Sequence, residues 1–136
     1  MECNYTFLLI EDNVIDQIVA SHLIKKALAT SEITIVNNGK EAICWLKTYE
    51  SKLNSQLIIL SDINMPVMDG FGFLSEFDGL PEALKNQTEI FMLSTTLFID
   101  EINQCKRNPY VEGFFSKPLP IEKFLNKIAA KQMHKA

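Results

Sequence analysis

Paired cysteines are missing from this sequence. The three present, Cys3, Cys44 and Cys105, are odd in number, far apart and free of C-x-x-C spacing. That argues against a disulfide framework and for a reducing compartment, with small buried or surface thiols as the ordinary reading. Histidines are scarce too. His22 and His134 stand apart from each other and from the cysteines, so a zinc site is not expected. No apolar run approaches ~20 residues, and no basic stretch leads into an apolar segment with a small-residue cleavage site. Neither a membrane span nor a secretion signal is expected, and the location read from this is cytoplasmic. A basic excess is also lacking. The net charge of -4 argues against binding nucleic acid, which recruits clustered Lys and Arg.

What is there is an ordinary globular composition, 47% hydrophobic and 22% charged, with no tract biased enough for disorder. The 136 residues suit a single domain with a core that needs no staples. Residues 1–136 are read as one unit, its core spanning about 5–130 and residues 131–136 forming a short, fraying tail. Charge is uneven: acids outnumber bases 11 to 5 over residues 1–78, and bases outnumber acids 8 to 6 thereafter.

Apolar periodicity alternates along the chain. Short runs at Tyr5–Ile10, Ile33–Val36, Leu57–Leu60, Glu89–Leu93 and Val111–Phe115 read as strands, the third buried on both faces. Between them lie helical patterns. Asn13 to about Ala29 carries Ile15, Ile18, Val19 and Leu23 at helical spacing. Gly39–Tyr49, Phe71–Phe77 and Phe98–Arg107 follow, and Ile121, Phe124, Leu125, Ile128 and Ala129 make a clear last stripe. Gly79 to Thr88 reads as a polar connection. Five strand–helix units in strict alternation predict an α/β fold, a doubly wound parallel five-stranded sheet with helices on both faces.

In such sheets ligands bind beyond the C-terminal ends of the strands. The polar residues expected there are informative. Glu11 and Asp12 follow the first strand, and Asp62 the third. Ser94, Thr95 and Thr96 end the fourth, and Ser116 with Lys117-Pro118 the fifth. Taken singly, each has a plain reading: Glu11-Asp12 as a helix start, Asp62 as a turn cap, Lys117-Pro118 as a loop dipeptide. Jointly, three carboxylates, a group of hydroxyls and one lysine converge on one edge. Carboxylates packed together repel one another, so something positive must hold them. Lys117 offers one charge and a divalent metal two more. Mg²⁺ suits the oxygen donors, and Mn²⁺ is a substitute.

Three segments then resemble a known family: LLIEDN (8–13), SDINMPVMDG (61–70) and FFSKPL (114–119). They are similar to receiver domains of two-component response regulators, over about Tyr5 to Ile128, in a stand-alone single-domain arrangement. The resemblance implies a flavodoxin-like sheet of order 2-1-3-4-5. It implies Asp62 as phosphoacceptor, with Asp12 and Asp62 as Mg²⁺ ligands, Glu11 acting through a metal-bound water, and the Asn64 backbone carbonyl as a further ligand. Lys117 would contact a phosphoryl oxygen, Ser94 would be the switch hydroxyl, and Phe114 the aromatic that follows it. Thr95 stands where the family often has a small residue, and Phe114 where it often has Tyr. The donor would be a histidine kinase or histidine phosphotransfer protein.

The implied role is a signalling module and not an enzyme, limited to self-phosphorylation and slow autodephosphorylation. With no output domain expected after the receiver, the signal would leave by protein contact. The candidate surface is that of the helix 98–107, the last strand and the last helix, where Lys123 and Lys127 belong to a basic stripe continued by Lys131 and Lys135. A solvated helix face explains that stripe equally well. Met65, Met68 and the first helix offer a second surface, for the phosphodonor. Monomer and phosphorylation-dependent dimer both stay open, as do terminal output and onward relay. Two rivals stand beside this reading, the first sharing Asp62 and Mg²⁺ and the second the fold. An aspartate-nucleophile phosphohydrolase of haloacid dehalogenase type expects an acid where Asn64 stands. A flavodoxin-like cofactor binder expects a phosphate loop where Glu11-Asp12 stands.

Overall fold

In a computed structural model of the chain, residues 4–29, 32–50, 55–95 and 98–135 are described. The strands are β1 (Asn4–Ile10), β2 (Glu32–Val36), β3 (Ser55–Asp62), β4 (Thr88–Ser94) and β5 (Val111–Ser116). The helices are α1 (Val14–Ala27), α2 (Gly39–Thr48), α3 (Gly70–Phe77), α4 (Glu82–Asn86), α5 (Ile99–Arg107) and α6 (Ile121–Lys135). All five strands are parallel, in the order β2-β1-β3-β4-β5.

The centre of the sheet explains its order. Leu57, Ile58, Ile59 and Leu60 of β3 are all buried, and alternate residues face opposite sides. Leu57 and Ile59 join a core formed with Ala42, Ile43 and Leu46 of α2, Phe73, Leu74 and Phe77 of α3, and Cys105 of α5. Ile58 and Leu60 join a second core with Ala20 and Ile24 of α1 and Phe124 and Ile128 of α6. Each fully buried aromatic such as Phe73 or Phe124 contributes about 2–3 kcal/mol of apolar burial. A sheet buried on both faces can expose its chemistry only at its ends.

Three features differ from the sequence reading. The polar connection after α3 contains the five-residue helix α4, anchored by one apolar residue, Leu84, that packs on the first core. A single anchor leaves no periodic signal. In α1 the buried residues are Ala20 and Ile24, with Leu23 half-buried, whereas Val14, Ile15 and Ile18 face solvent. The conspicuous branched residues of this helix are therefore not its core face. The last helix is continuous through Lys135, where a loose tail was expected. Among the described residues, no helix is long and apolar enough to cross a membrane.

Candidate functional site

Parallel pairing brings every strand's C-terminal end to one edge. Ile10 pairs with Ser61, Asp62 with Leu93, and Ser94 with Ser116. Glu11 and Asp62 thus leave neighbouring strands side by side. The α1 cap is Asn13, whose side chain accepts from the Asp16 backbone N–H at 3.0 Å. Glu11 and Asp12 are therefore not used up as helix caps. The buried Glu11 carboxylate accepts from the Asn13 backbone N–H at 3.1 Å, and its backbone carbonyl accepts from Gln17 Nε2 at 2.6 Å. Asp62 Oδ1 accepts from the Ile63 backbone N–H at 2.8 Å, which fixes the ring of contacts on that side and turns Oδ2 toward the cleft. Asp69 caps α3 through the Gly72 N–H at 2.8 Å.

Lys117 closes the arrangement. Its backbone N–H donates to the Ser94 carbonyl at 2.9 Å, so β4 and β5 hold the residue from which the side chain reaches across the edge. Its Nζ lies 2.5 Å from Glu11, 2.9 Å from Asp16 and 3.2 Å from Asp62. Burial would lower the Lys117 pKa, but hydrogen bonds to Glu11 and Asp16 and the charges of Asp62 and Glu11 outweigh it, holding the ammonium above its ordinary range. Burial pushes the Glu11 carboxyl up, opposed by Lys117 and the Asn13 N–H and reinforced by the Asp62 charge. The site thus holds more negative charge than one lysine balances.

Oxygen atoms of Glu11, Asp12 and Asp62 lie within 4.8 Å of one another. Hard carboxylate oxygens in a partly solvated cleft, with Asp12 exposed, form a donor set that fits Mg²⁺. The cleft above them encloses about 400 Å³ and is lined by these acids together with Asn13, Asp16, Asn64, Ser94, Thr95, Phe98 and Lys117.

The structure therefore gathers Glu11, Asp12, Asp62, Asn64, Ser94, Thr95 and Lys117, as the sequence led one to expect. Phe114 is not a lining residue. It is half-buried against the first core, on the sheet face covered by α2, α3 and α5. Lys123 and Lys127 are exposed on α6, away from the cleft, while the side chains of Lys131 and Lys135 lie outside the described residues, as does Thr96. Sequence reasoning missed Asp16, Asn13 and Phe98. For Asp16 a signal existed: it falls in the first turn of the helix that starts just after Glu11-Asp12, and so stays at the same end of α1.

The chain matches the family described as response regulator receiver domain over residues 7–129. It belongs to that family. Among solved structures it is similar to a response regulator receiver protein from Dyadobacter fermentans, with 29% identity, a TM-score of 0.82, and 94% of this chain and 96% of that one covered. A two component response regulator from Cytophaga hutchinsonii shows 25% identity and a TM-score of 0.81, with 95% and 97% covered. The phosphorylated cyanobacterial phytochrome response regulator RcpA, at 23% identity, shares the fold with a TM-score of 0.70 over 96% and 92%. No curated protein matches the chain. A receiver domain of a two-component response regulator is a signalling module, and the acidic cluster is the site in this one that fits a metal ion.

Proposed function

We propose that Asp62 accepts a phosphoryl group from a histidine kinase or histidine phosphotransfer protein, with Mg²⁺ bound beside it. The observation that carries this reading is Asp62 Oδ2 facing Lys117 Nζ at 3.2 Å in a cleft shared with Glu11 and Asp12. Phosphoryl transfer requires alignment and neutralised charge on the equatorial oxygens more than covalent machinery. Ionised Asp62 needs no general base. Its Oδ2 forms the new P–O bond while the P–N bond of phosphohistidine breaks, and the imidazole nitrogen keeps the bonding pair. Lys117 neutralises one phosphoryl oxygen. Glu11, Asp12, Asp62 and the Asn64 carbonyl would hold Mg²⁺, which supplies the further positive charge a phosphoryl dianion needs to approach an aspartate. Ser94 is buried at the end of β4 and lines the cleft, where a hydroxyl turning toward the phosphoryl group reports its presence. Thr95, exposed beside it, narrows access. Phe114, off the cleft on β5, would then repack as the strand end adjusts.

Two surfaces serve the two ends of the signal. Val14, Ile15 and Ile18 on α1, with Val67 and Phe98, are exposed apolar residues on segments that meet at the acidic cleft, a setting for a helical phosphodonor. The output surface is that of α5, β5 and α6, where Lys123 and Lys127 face solvent and suit an acidic partner. The site does not favour a phosphohydrolase of haloacid dehalogenase type, because Asn64 stands two residues after Asp62. Glu11 and Asp12 would repel the phosphate of a flavodoxin-type cofactor.

The test is incubation with acetyl phosphate and Mg²⁺, read by intact mass. One added phosphoryl group, dependent on Mg²⁺ and lost in Asp62→Asn, is expected. Absence of any adduct with several donors, or an adduct that survives Asp62→Asn, overturns the reading.

A further inference from the structure

Lys117 is fully subscribed. An ammonium has three N–H donors, and three carboxylates take them: Glu11 at 2.5 Å, Asp16 at 2.9 Å and Asp62 at 3.2 Å. Two of these three, Glu11 and Asp62, also belong to the acidic cluster that fits a metal ion; Asp16 does not. Metal binding therefore draws on the first two and leaves Asp16 with Lys117. Among the described residues, Lys117 is the only ion-pair partner of Asp16. Asp16 is also held in place, since its backbone N–H is capped by Asn13 and its carboxylate is only 36% exposed. A residue on α1 with no part in the metal set thus grips the lysine that must meet the phosphoryl group.

We infer that Asp16 is a positioning residue that competes with the incoming phosphoryl group for Lys117 and thereby slows phosphorylation of Asp62. The inference rests on Asp62 being the phosphoacceptor. While Asp16 holds Lys117, part of the lysine's charge is already balanced. A dianionic donor then meets both a less available ammonium and a carboxylate within one side-chain contact of the reacting oxygen. Like charges at such separations, at a partly solvated edge, change a rate by roughly five-fold.

The experiment compares the parent protein, Asp16→Asn and Asp16→Glu. Each is labelled with Mg²⁺ and either acetyl phosphate, a dianion, or phosphoramidate, which carries less net negative charge at neutral pH. In both reactions Asp62 Oδ2 forms the P–O bond and the donor's acetate or ammonia leaves with the bonding pair. Asp16→Asn should label about five-fold faster than the parent with acetyl phosphate, and by a smaller factor with phosphoramidate. Molar salt should shrink the difference, because the edge is reached by solvent. Asp16→Glu, which keeps the charge, should stay near the parent. A rate for Asp16→Asn within two-fold of the parent, or an equal factor for both donors, overturns the inference. A parent that takes no phosphoryl group overturns the reading on which it rests. A double-mutant cycle of Asp16→Asn with Lys117→Met, followed by urea unfolding, checks the contact without any phosphodonor. Non-additive midpoints support it, and additive ones refute it.

Discussion

Lys117 Nζ stands 2.5 Å from Glu11 Oε1, nearer than to either of its other carboxylate partners. Glu11 is buried, and burial already pushes its carboxyl above the ordinary value of 4.5. One lysine thus makes an otherwise costly buried carboxylate tolerable. Removing it by Lys117→Met should destabilise the protein by about 3 kcal/mol near neutral pH, since an uncompensated buried charge remains. The sign of the pH dependence follows from the direction of the Glu11 shift. A raised folded-state pKa gives stability that is fully present below 4.5 and lost as pH rises through the folded value. The gap between variant and parent should therefore narrow in acid. Added Mg²⁺ should recover more stability in the variant than in the parent. Urea melts across pH, with and without Mg²⁺, measure all three.

Gly70 illustrates how closely α3 is pressed against the end of β3. A Cβ there would come within 2.6 Å of the Asp62 carbonyl oxygen, 2.7 Å of Met92 Cε and 3.0 Å of Ile63 Cα. Two of these are backbone atoms and do not yield. Gly70→Ala should cost about 1–3 kcal/mol and displace the start of α3 from the end of β3. Labelling by acetyl phosphate should fall with it. Gly79→Ala is the control: its Cβ meets nothing closer than 3.5 Å. That change should be neutral or stabilising by up to ~1 kcal/mol, through the unfolded chain.

The reasons Gly70 and Lys117 differ in legibility are physical. The acids, Ser94 and Lys117 were readable because strand ends in a parallel sheet are fixed by the strands themselves, and the runs of Ile and Leu are unambiguous. Asp62 needed only LIIL before it and the Met-Pro and Asp-Gly turns after it. Close approach at Gly70, by contrast, depends on how two elements pack and leaves no mark in a local pattern. In α1, Ile15 and Ile18 have the spacing of a core face, yet Ala20 and Ile24 are the buried residues. Periodicity gives the helix and not its rotation, and an exposed apolar face has the same spacing as a core face. Phe114 lies outside the cleft lining because alternate residues of β5 take opposite sheet faces, and its side chain falls on the α5 side.

Cys105 and Cys44 should separate by reactivity. Cys105 is fully buried in the core beneath α5, whereas Cys44 is exposed on α2. Burial, then the charge of Glu101, pushes the Cys105 thiol above its ordinary 9.0. Brief alkylation of the native protein at mildly alkaline pH, mapped by peptide mass, should modify Cys44 and spare Cys105. In urea both should react. The raised thiol adds stability that is complete below pH 9.0 and is lost as pH rises through the folded value. Cys105→Ala should therefore flatten the alkaline limb of the stability curve while lowering stability at neutral pH. Labelling of Cys105 at the rate of Cys44 would contradict this placement.

Val67 is a β-branched residue at a φ of 69°, where the Met68 N–H donates to the Pro66 carbonyl at 2.7 Å across a three-residue turn. Such a turn is strained for a side chain with a Cβ, and more so for a branched one. With 78% of its surface exposed, Val67 loses little packing when replaced. Val67→Gly should raise stability by about 1 kcal/mol, the relief of strain exceeding the entropy glycine adds to the unfolded chain. Thermal unfolding reads this directly. An unchanged or lower midpoint would mean that the turn carries no such strain.

The exposed apolar face of α1 yields a prediction that separates chemistry from recognition. Ile15 is 70% and Ile18 62% exposed, and neither belongs to a core. Replacing both with Asp should leave folding nearly unchanged, because surface substitutions away from packed features stay within about 0.5 kcal/mol. Acetyl phosphate, which needs only the cleft, should still label Asp62 within two-fold of the parent rate. Transfer from a phosphorylated histidine phosphotransfer protein should fall by an order of magnitude or more, since that donor must dock before its phosphoryl group can reach the cleft. Loss of both reactions together would place Ile15 and Ile18 in the integrity of the site. Retention of both would remove this face from the docking surface and shift attention to Val67 and Phe98 at the other borders of the cleft.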